Sequence, residues 1–190
     1  MNCLFISTYN EKVIIGLLNN GKELLKKEKT SIKGHSELIV PTIAEILKDS
    51  KLDVTDLNEI IVVNGPGSFT GVRLGITVAK TLAYTLNIPI KTITSIEAIS
   101  TNNIIKDKLV TINDSKGKYI GKFINNKLEE LIYLKESDAI EYINSTNLLI
   151  IEDNSFNLEA VYNYAKELPY TNAHAVKALY VKKIEALNGK

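Results

Sequence analysis

Residues 62–75 read VVNGPGSFTGVRLG. The apolar, β-branched run from Glu59 to Val63 reads as a buried strand. It ends in a turn, Asn64 to Gly67, whose glycines permit positive φ. Ser68 and Thr70 then offer hydroxyls to cap a helix, and Gly71 to Leu86 carries helical periodicity. Strand, glycine turn and helix start together make a candidate anion site, with Gly65, Gly67 and Ser68 nearest a phosphate. GPGSFTG is not a P-loop, because no Lys-Ser/Thr pair follows its last glycine, and it does not match the dinucleotide fingerprint. A turn that only holds a helix against its sheet explains the same residues, and both readings stand open.

Two further features of this stretch need a reason. Gly71, Gly75, Ala79 and Ala83 fall four residues apart and form one small-residue stripe. Glycine within a helix costs about 1 kcal/mol relative to alanine, so another backbone is expected to come close to this face. It is either the chain's own sheet or a helix of another chain. Arg73 is the one arginine among the 23 Lys plus Arg. It lies in the first helical turn, where the dipole disfavours a cation. Retention of arginine in a lysine-rich chain points to a planar, bidentate or stacking contact that lysine cannot make.

Upstream, Cys3 to Ser7, Val13 to Leu18 and Glu23 to Thr30 read as a three-stranded meander. Asn19-Asn20-Gly21 supplies its second hairpin turn. Ile39, Ile43, Ile46 and Leu47 recur at helical spacing after His35. Pro41 requires that this helix either start just before it or kink there. Downstream, Ile90 to Thr94 is a strand, and Ser95 and Glu97 open a short helix with Ser95 as its expected cap. The polar stretch from Thr101 to Lys108 is the expected boundary between lobes of residues 1–104 and 105–190. A second meander follows: Leu109 to Asn113, Tyr119 to Ile124, an Asn125-Asn126 turn, and Lys127 to Leu134. A helix over Ser137 to Ile143, a buried strand over Leu148 to Ile151 and a helix over Leu158 to Leu168 complete a weak internal repeat of supersecondary structure.

Composition excludes several classes. The 190 residues are 45% hydrophobic and 24% charged, with net charge +1, which is an ordinary globular balance and not the footprint of a stand-alone nucleic-acid binder. Cys3 is the one cysteine, so no internal disulfide is expected, and it reads as core filler in a cytoplasmic protein. The first residues lack the basic leader of a signal peptide, and no window is apolar enough to span a membrane. With His35 and His174 as the two histidines, neither a zinc site nor a protease constellation is expected. His35 is expected to cap or pack near a helix start. Lys22, Lys26 and Lys27 read as a solvated face.

GPGSFTGVRLG closely resembles the hallmark of the TsaB (YeaZ-type) family of tRNA threonylcarbamoyladenosine biosynthesis proteins. His35-Ser36-Glu37 with Pro41 is similar to that family's H-S/T-x-x-L-x-P segment. Leu179-Tyr180-Val181-Lys182 is similar to its terminal Y-L-R stretch. The resemblance implies an α/β, actin-like/Hsp70-like ATPase fold of two RNase H-like lobes with mixed sheets, the second lobe here reduced. It also implies a non-catalytic partner of a larger paralogue, TsaD, which transfers threonylcarbamoyl to adenosine 37 of ANN-decoding tRNAs. A heterodimer is expected through the first two long helices, with a TsaE-type ATPase in a larger complex. A homodimer is expected when the chain is alone, and contact with tRNA is expected to be indirect. The interface is expected at His35, Leu38, Ile39, Ser68, Phe69, Thr70, Gly71, Val72, Arg73, Gly75, Ile76, Ala79 and Ala83. No catalytic residue and no metal are expected on the chain; ATP and Mg²⁺ would be used by the complex.

The departures from the family pattern are specific. The family opens with I-D-T-S, whereas this chain has Ile6-Ser7-Thr8-Tyr9. Ser7 cannot supply the acid that superfamily ATPases use, and a neutral hydroxyl is a poor Mg²⁺ ligand. The D-A-R segment of the second lobe stands as Asp114-Ser115-Lys116. The alternative class, an actin-like ATPase or small-molecule kinase, would need that missing acid.

Overall fold

The computed structural model describes residues 1–30, 34–152 and 155–182. Strands β1 (Asn2–Ser7), β2 (Lys12–Asn19), β3 (Lys22–Thr30), β4 (Leu57–Val63) and β5 (Ile90–Ile93) form one sheet in the order β3-β2-β1-β4-β5. β1 to β3 are antiparallel neighbours, while β4 pairs parallel with both β1 and β5. Strands β6 (Lys108–Asp114), β7 (Gly117–Ile124), β8 (Lys127–Lys135) and β9 (Leu149–Ile151) repeat that order as β8-β7-β6-β9, with β9 parallel to β6. Both are the strand order of an RNase H-like lobe. The chain thus adopts the α/β, two-lobed actin-like fold, and among the described residues the second sheet has no counterpart of β5.

Local chemistry accounts for the turns. Asn20 and Gly21 have φ of 49° and 80°, and Asn125 and Asn126 have 52° and 63°, as a two-residue hairpin matched to strand twist requires. Helix α1 (Ile39–Ser50) follows a 3₁₀ turn at His35–Glu37. Pro41 therefore sits in the first turn of α1, where its missing N–H leaves no helical bond unmade. The helix starts just before the proline and is not kinked by it. Helix α2 (Phe69–Leu86) is capped by Ser68, whose Oγ accepts from Gly71 N at 3.2 Å.

Helix α3 (Ser95–Ser100) corrects one expectation. Its cap is Thr94, in a reciprocal box with Glu97, because the S/T-x-x-E spacing counts from residue 94. Ser95 is buried instead and donates to Pro66 O at 2.6 Å. Helix α4 (Glu136–Asn144) lies on β7 and β8, and α5 (Leu158–Ala165) returns to the first sheet against β2, β3 and β5. β9 was expected to be buried, yet Leu149 and Ile150 are 43% and 42% exposed. As an edge strand it has no further neighbour among the described strands to cover it.

One apolar core runs through both sheets. Phe5, Ile6 and Val62 belong to it from the first, Val110 and Phe123 from the second, with Ile96 and Ile99 of α3 between them. Cys3 is fully buried in this core. Fully burying one such side chain contributes about 1.5–3 kcal/mol, so the continuous core holds the lobes together.

Candidate functional site

The glycine turn sits where the sheets meet. Ser68 N–H donates to Tyr9 O at 2.6 Å, Ser95 N–H to Gly65 O at 2.9 Å, and Leu179 N–H to Asn64 O at 2.8 Å. The turn is thus tied to the β1–β2 turn, to α3 and to the C-terminal strap, residues 173–182. At Gly67, φ is 152° and an added Cβ would lie 2.2 Å from Tyr9 O, a backbone atom with little freedom to retreat. Only glycine meets both demands.

Between the sheets lies a cavity of about 320 Å³. Gly67, Ser68 and Phe69 line it from one side and Asp114 and Tyr119 from the other, with Tyr180 and Lys182 of the strap across it. Gly65 is buried outside that lining. Asp114 Oδ2 accepts from Lys182 Nζ at 2.8 Å and from Tyr133 OH at 3.0 Å. Burial works against the Asp114 carboxylate, but these donors outweigh it and hold its pKa below the usual range. The same bond raises the Lys182 pKa. Ser7 is 1% exposed, and its Oγ has no hydrogen-bond partner among the described residues. An ion-paired aspartate and a buried hydroxyl are a poor donor set for a Mg²⁺–nucleotide, which wants free oxygen anions.

Helix α2 resolves the small-residue stripe. Gly71, Val72, Gly75, Ile76, Ala79 and Ala83 are buried within this chain. An added Cβ on Gly71 would lie 2.2 Å from Thr8 O, and one on Gly75 2.3 Å from Thr8 Oγ1. Thr8 Oγ1 also donates to Gly71 O at 2.7 Å. What comes close is therefore Thr8 of the same chain, just past the end of β1, and the stripe is buried within the chain. Ile39 is likewise buried, 1% exposed, because its helix turns that side to the sheet. These seven expected interface positions pack within the chain. Leu38 is half-buried against the core. His35 is half-buried, with Nε2 2.6 Å from Asn10 O; it packs against the β1–β2 turn and caps no helix.

What α1 and α2 do present is Val40, 59% exposed, Phe69, 48%, and Tyr84, 66%, with Ser68, Thr70 and Arg73. Arg73 lies between two rings. Its guanidinium carbon is 3.7 Å from the Phe69 centroid and 5.5 Å from that of Tyr180. Its Nε donates to Tyr180 OH at 2.5 Å. Tyr84 meets the His174 ring at 4.9 Å, so the strap flanks α2 along its length. Sequence reasoning passed over Val40 and Tyr84. The usable signal was that both are apolar yet fall off the buried stripe.

The three lysines expected on a solvated face form surface ion pairs there, with the Lys22 side chain 78% exposed. Lys22 meets Glu159, Lys26 meets Glu28, and Lys27 meets Glu45 and Asp49. No helix among the described residues is long and apolar enough to cross a membrane.

A protein-family model described as TsaD, tRNA N6-adenosine threonylcarbamoyltransferase, matches residues 28–177. The chain belongs to that family. Within it, the chain is similar to curated proteins named tRNA threonylcarbamoyladenosine biosynthesis protein TsaB, which bears out the resemblance read from GPGSFTGVRLG. The Bacillus subtilis TsaB is 35% identical over 137 residues, covering 70% of this chain and 60% of that protein. The TsaB of Buchnera aphidicola subsp. Schizaphis graminum is 32% identical over 126 residues, covering 64% and 55%. The match therefore spans little more than half the length of these TsaB relatives. A crystal structure from Pseudomonas aeruginosa, of an uncharacterized protein with similarity to peptidase YEAZ, superposes with a TM-score of 0.77. It covers 95% of this chain and 99% of that one at 15% identity, which shows the shared fold.

Proposed function

We propose that this chain is a non-catalytic subunit that binds a TsaD homologue and activates it to transfer threonylcarbamoyl to adenosine 37 of ANN-decoding tRNAs. The names of the family model and of the TsaB relatives support the pathway. The observation that carries the non-catalytic role is the state of Asp114, whose carboxylate is taken up by Lys182 and Tyr133. ATP and Mg²⁺ then belong to the complex, with a TsaE-type ATPase as a further member. tRNA is held mainly by the partner, the chain pairs with itself when the partner is absent, and it works in the cytoplasm. Docking uses the exposed ridge of α1 and α2 at Val40, Phe69 and Tyr84, because the inner face of α2 is already spent on its own sheet.

The test is co-elution with the TsaD homologue of the same cell, by size-exclusion chromatography with light scattering. Wild type should form a stable heterodimer that Val40→Glu and Tyr84→Glu weaken at least tenfold while remaining folded. Wild type that fails to bind at micromolar concentration would sink this reading. Steady ATP turnover by the chain alone would favour the enzyme alternative.

A further inference from the structure

A groove of about 440 Å³ runs between α2 and the C-terminal strap. Arg73, Ile76 and Lys80 line it from the helix, and Val176, Lys177 and Ala178 from the strap. Ile76 and Val176 are 6% and 3% exposed and make an apolar floor. Three cations rim that floor, and no carboxylate is among the lining residues. Like charges gathered on one small surface repel, and nothing within the groove offsets them.

The cations differ in what they are free to do. Lys80 Nζ is committed to the strap, donating to His174 O at 3.2 Å and Val176 O at 3.3 Å. Lys177 is exposed and has no ion pair among the described residues. Arg73 is held as a plane by Phe69 and Tyr180, and the Tyr180 bond uses only Nε. Its two terminal nitrogens make no hydrogen bond among the described residues, so they are a pre-oriented pair of donors. A planar guanidinium with that edge open matches a carboxylate bidentately, which lysine cannot do.

We propose that this groove receives a carboxylate-bearing, apolar segment of the partner protein, with an Asp or Glu seated on Arg73. This rests on the reading that the partner is a TsaD homologue. Two observations favour protein over nucleic acid as the occupant. The floor at Ile76 and Val176 rewards an apolar side chain, and a phosphate backbone has none to offer. One face of the Phe69 ring is already taken by the guanidinium, which leaves a base only the other face to stack on.

The experiment is a calorimetric titration of the purified TsaD homologue into wild type, Arg73→Lys, Arg73→Ala and Lys177→Glu, at low and high salt. Arg73→Ala should weaken binding at least tenfold, and Arg73→Lys several-fold although the charge is kept. Lys177→Glu should weaken it several-fold and flatten its salt dependence. Lys177 is exposed and makes no side-chain hydrogen bond or ion pair among the described residues, so the thermal midpoint of Lys177→Glu should not move, which separates a docking role from a structural one. If wild type binds and all three variants bind equally well, the groove inference is overturned and the proposed function stands. If wild type does not bind, both are overturned. If the variants bind the homologue normally but lose affinity for a short tRNA duplex, the groove serves RNA and the inference is wrong.

Discussion

Lys182 Nζ lies 2.8 Å from Asp114 Oδ2, and that bond fastens the C-terminal strap to the end of β6. It joins residues 68 positions apart and closes the cavity between the sheets.

Asp114→Asn should therefore release the strap without unfolding either sheet. Both side chains are partly exposed, so the loss should be about 0.5–1 kcal/mol. Hydrogen exchange should quicken at the Leu179 amide and not in β1 or β4. The Asp114 pKa is depressed in the folded chain. Its contribution is thus present above the ordinary carboxylate pKa of about 3.9 and is lost as pH falls through the lower folded value. Strap exchange in wild type should rise only in that acid range; a rise near neutrality would contradict the assignment.

Gly75→Ala should destabilise by about 1–3 kcal/mol, since the new Cβ meets Thr8 Oγ1. Combining it with Thr8→Ala should cost less than the sum of the two single changes, measured by chemical denaturation. Strict additivity would mean that Thr8 is not the atom in the way. Larger residues at Gly75 should disturb folding, so partner binding is better probed at Val40 and Tyr84.

Hydrogen bonds from Lys27 and Lys29 lower the Glu45 pKa to about 2. A carboxyl-detected NMR titration should show Glu45 titrating well below the other glutamates. About 1 M salt should move it upward, because exposed pairs are screened. Since the folded pKa is the lower one, this pairing supports the fold above about pH 4 and fades as pH drops toward 2. A Glu45 pKa in the ordinary range would remove the β3–α1 clasp.

Lys108 is 2% exposed, and its Nζ donates at 2.7 Å to both Ser100 O and Asn103 O. Its pKa is lowered by burial. Lys108→Ala leaves those two carbonyls unmet and empties the space of its stem, so about 2–4 kcal/mol should be lost. Thermal unfolding of Lys108→Ala against Lys122→Ala, a lysine one strand over, tests it; equal midpoints would refute a stabilising role for these two hydrogen bonds.

The sequence by itself determined most of the local elements. Asn20-Gly21 and Asn125-Asn126 fix two hairpins because few residues accept positive φ, and the Ser68 cap needs only three residues of spacing. Which neighbour the Gly71 and Gly75 stripe approaches was not legible, because a close backbone leaves the same signature whether it comes from the same chain or another. Only the tertiary structure placed Thr8 there. It also brought Tyr180 onto Arg73 and Lys182 onto Asp114, contacts of 107 and 68 residues' separation that no local pattern encodes. The exposure of β9 was equally hidden, since an apolar LII run reads as buried until the next strand in its sheet is seen to be missing from the described residues. Propensity and spacing act over a few residues, whereas burial and charge pairing depend on which distant elements the fold sets side by side.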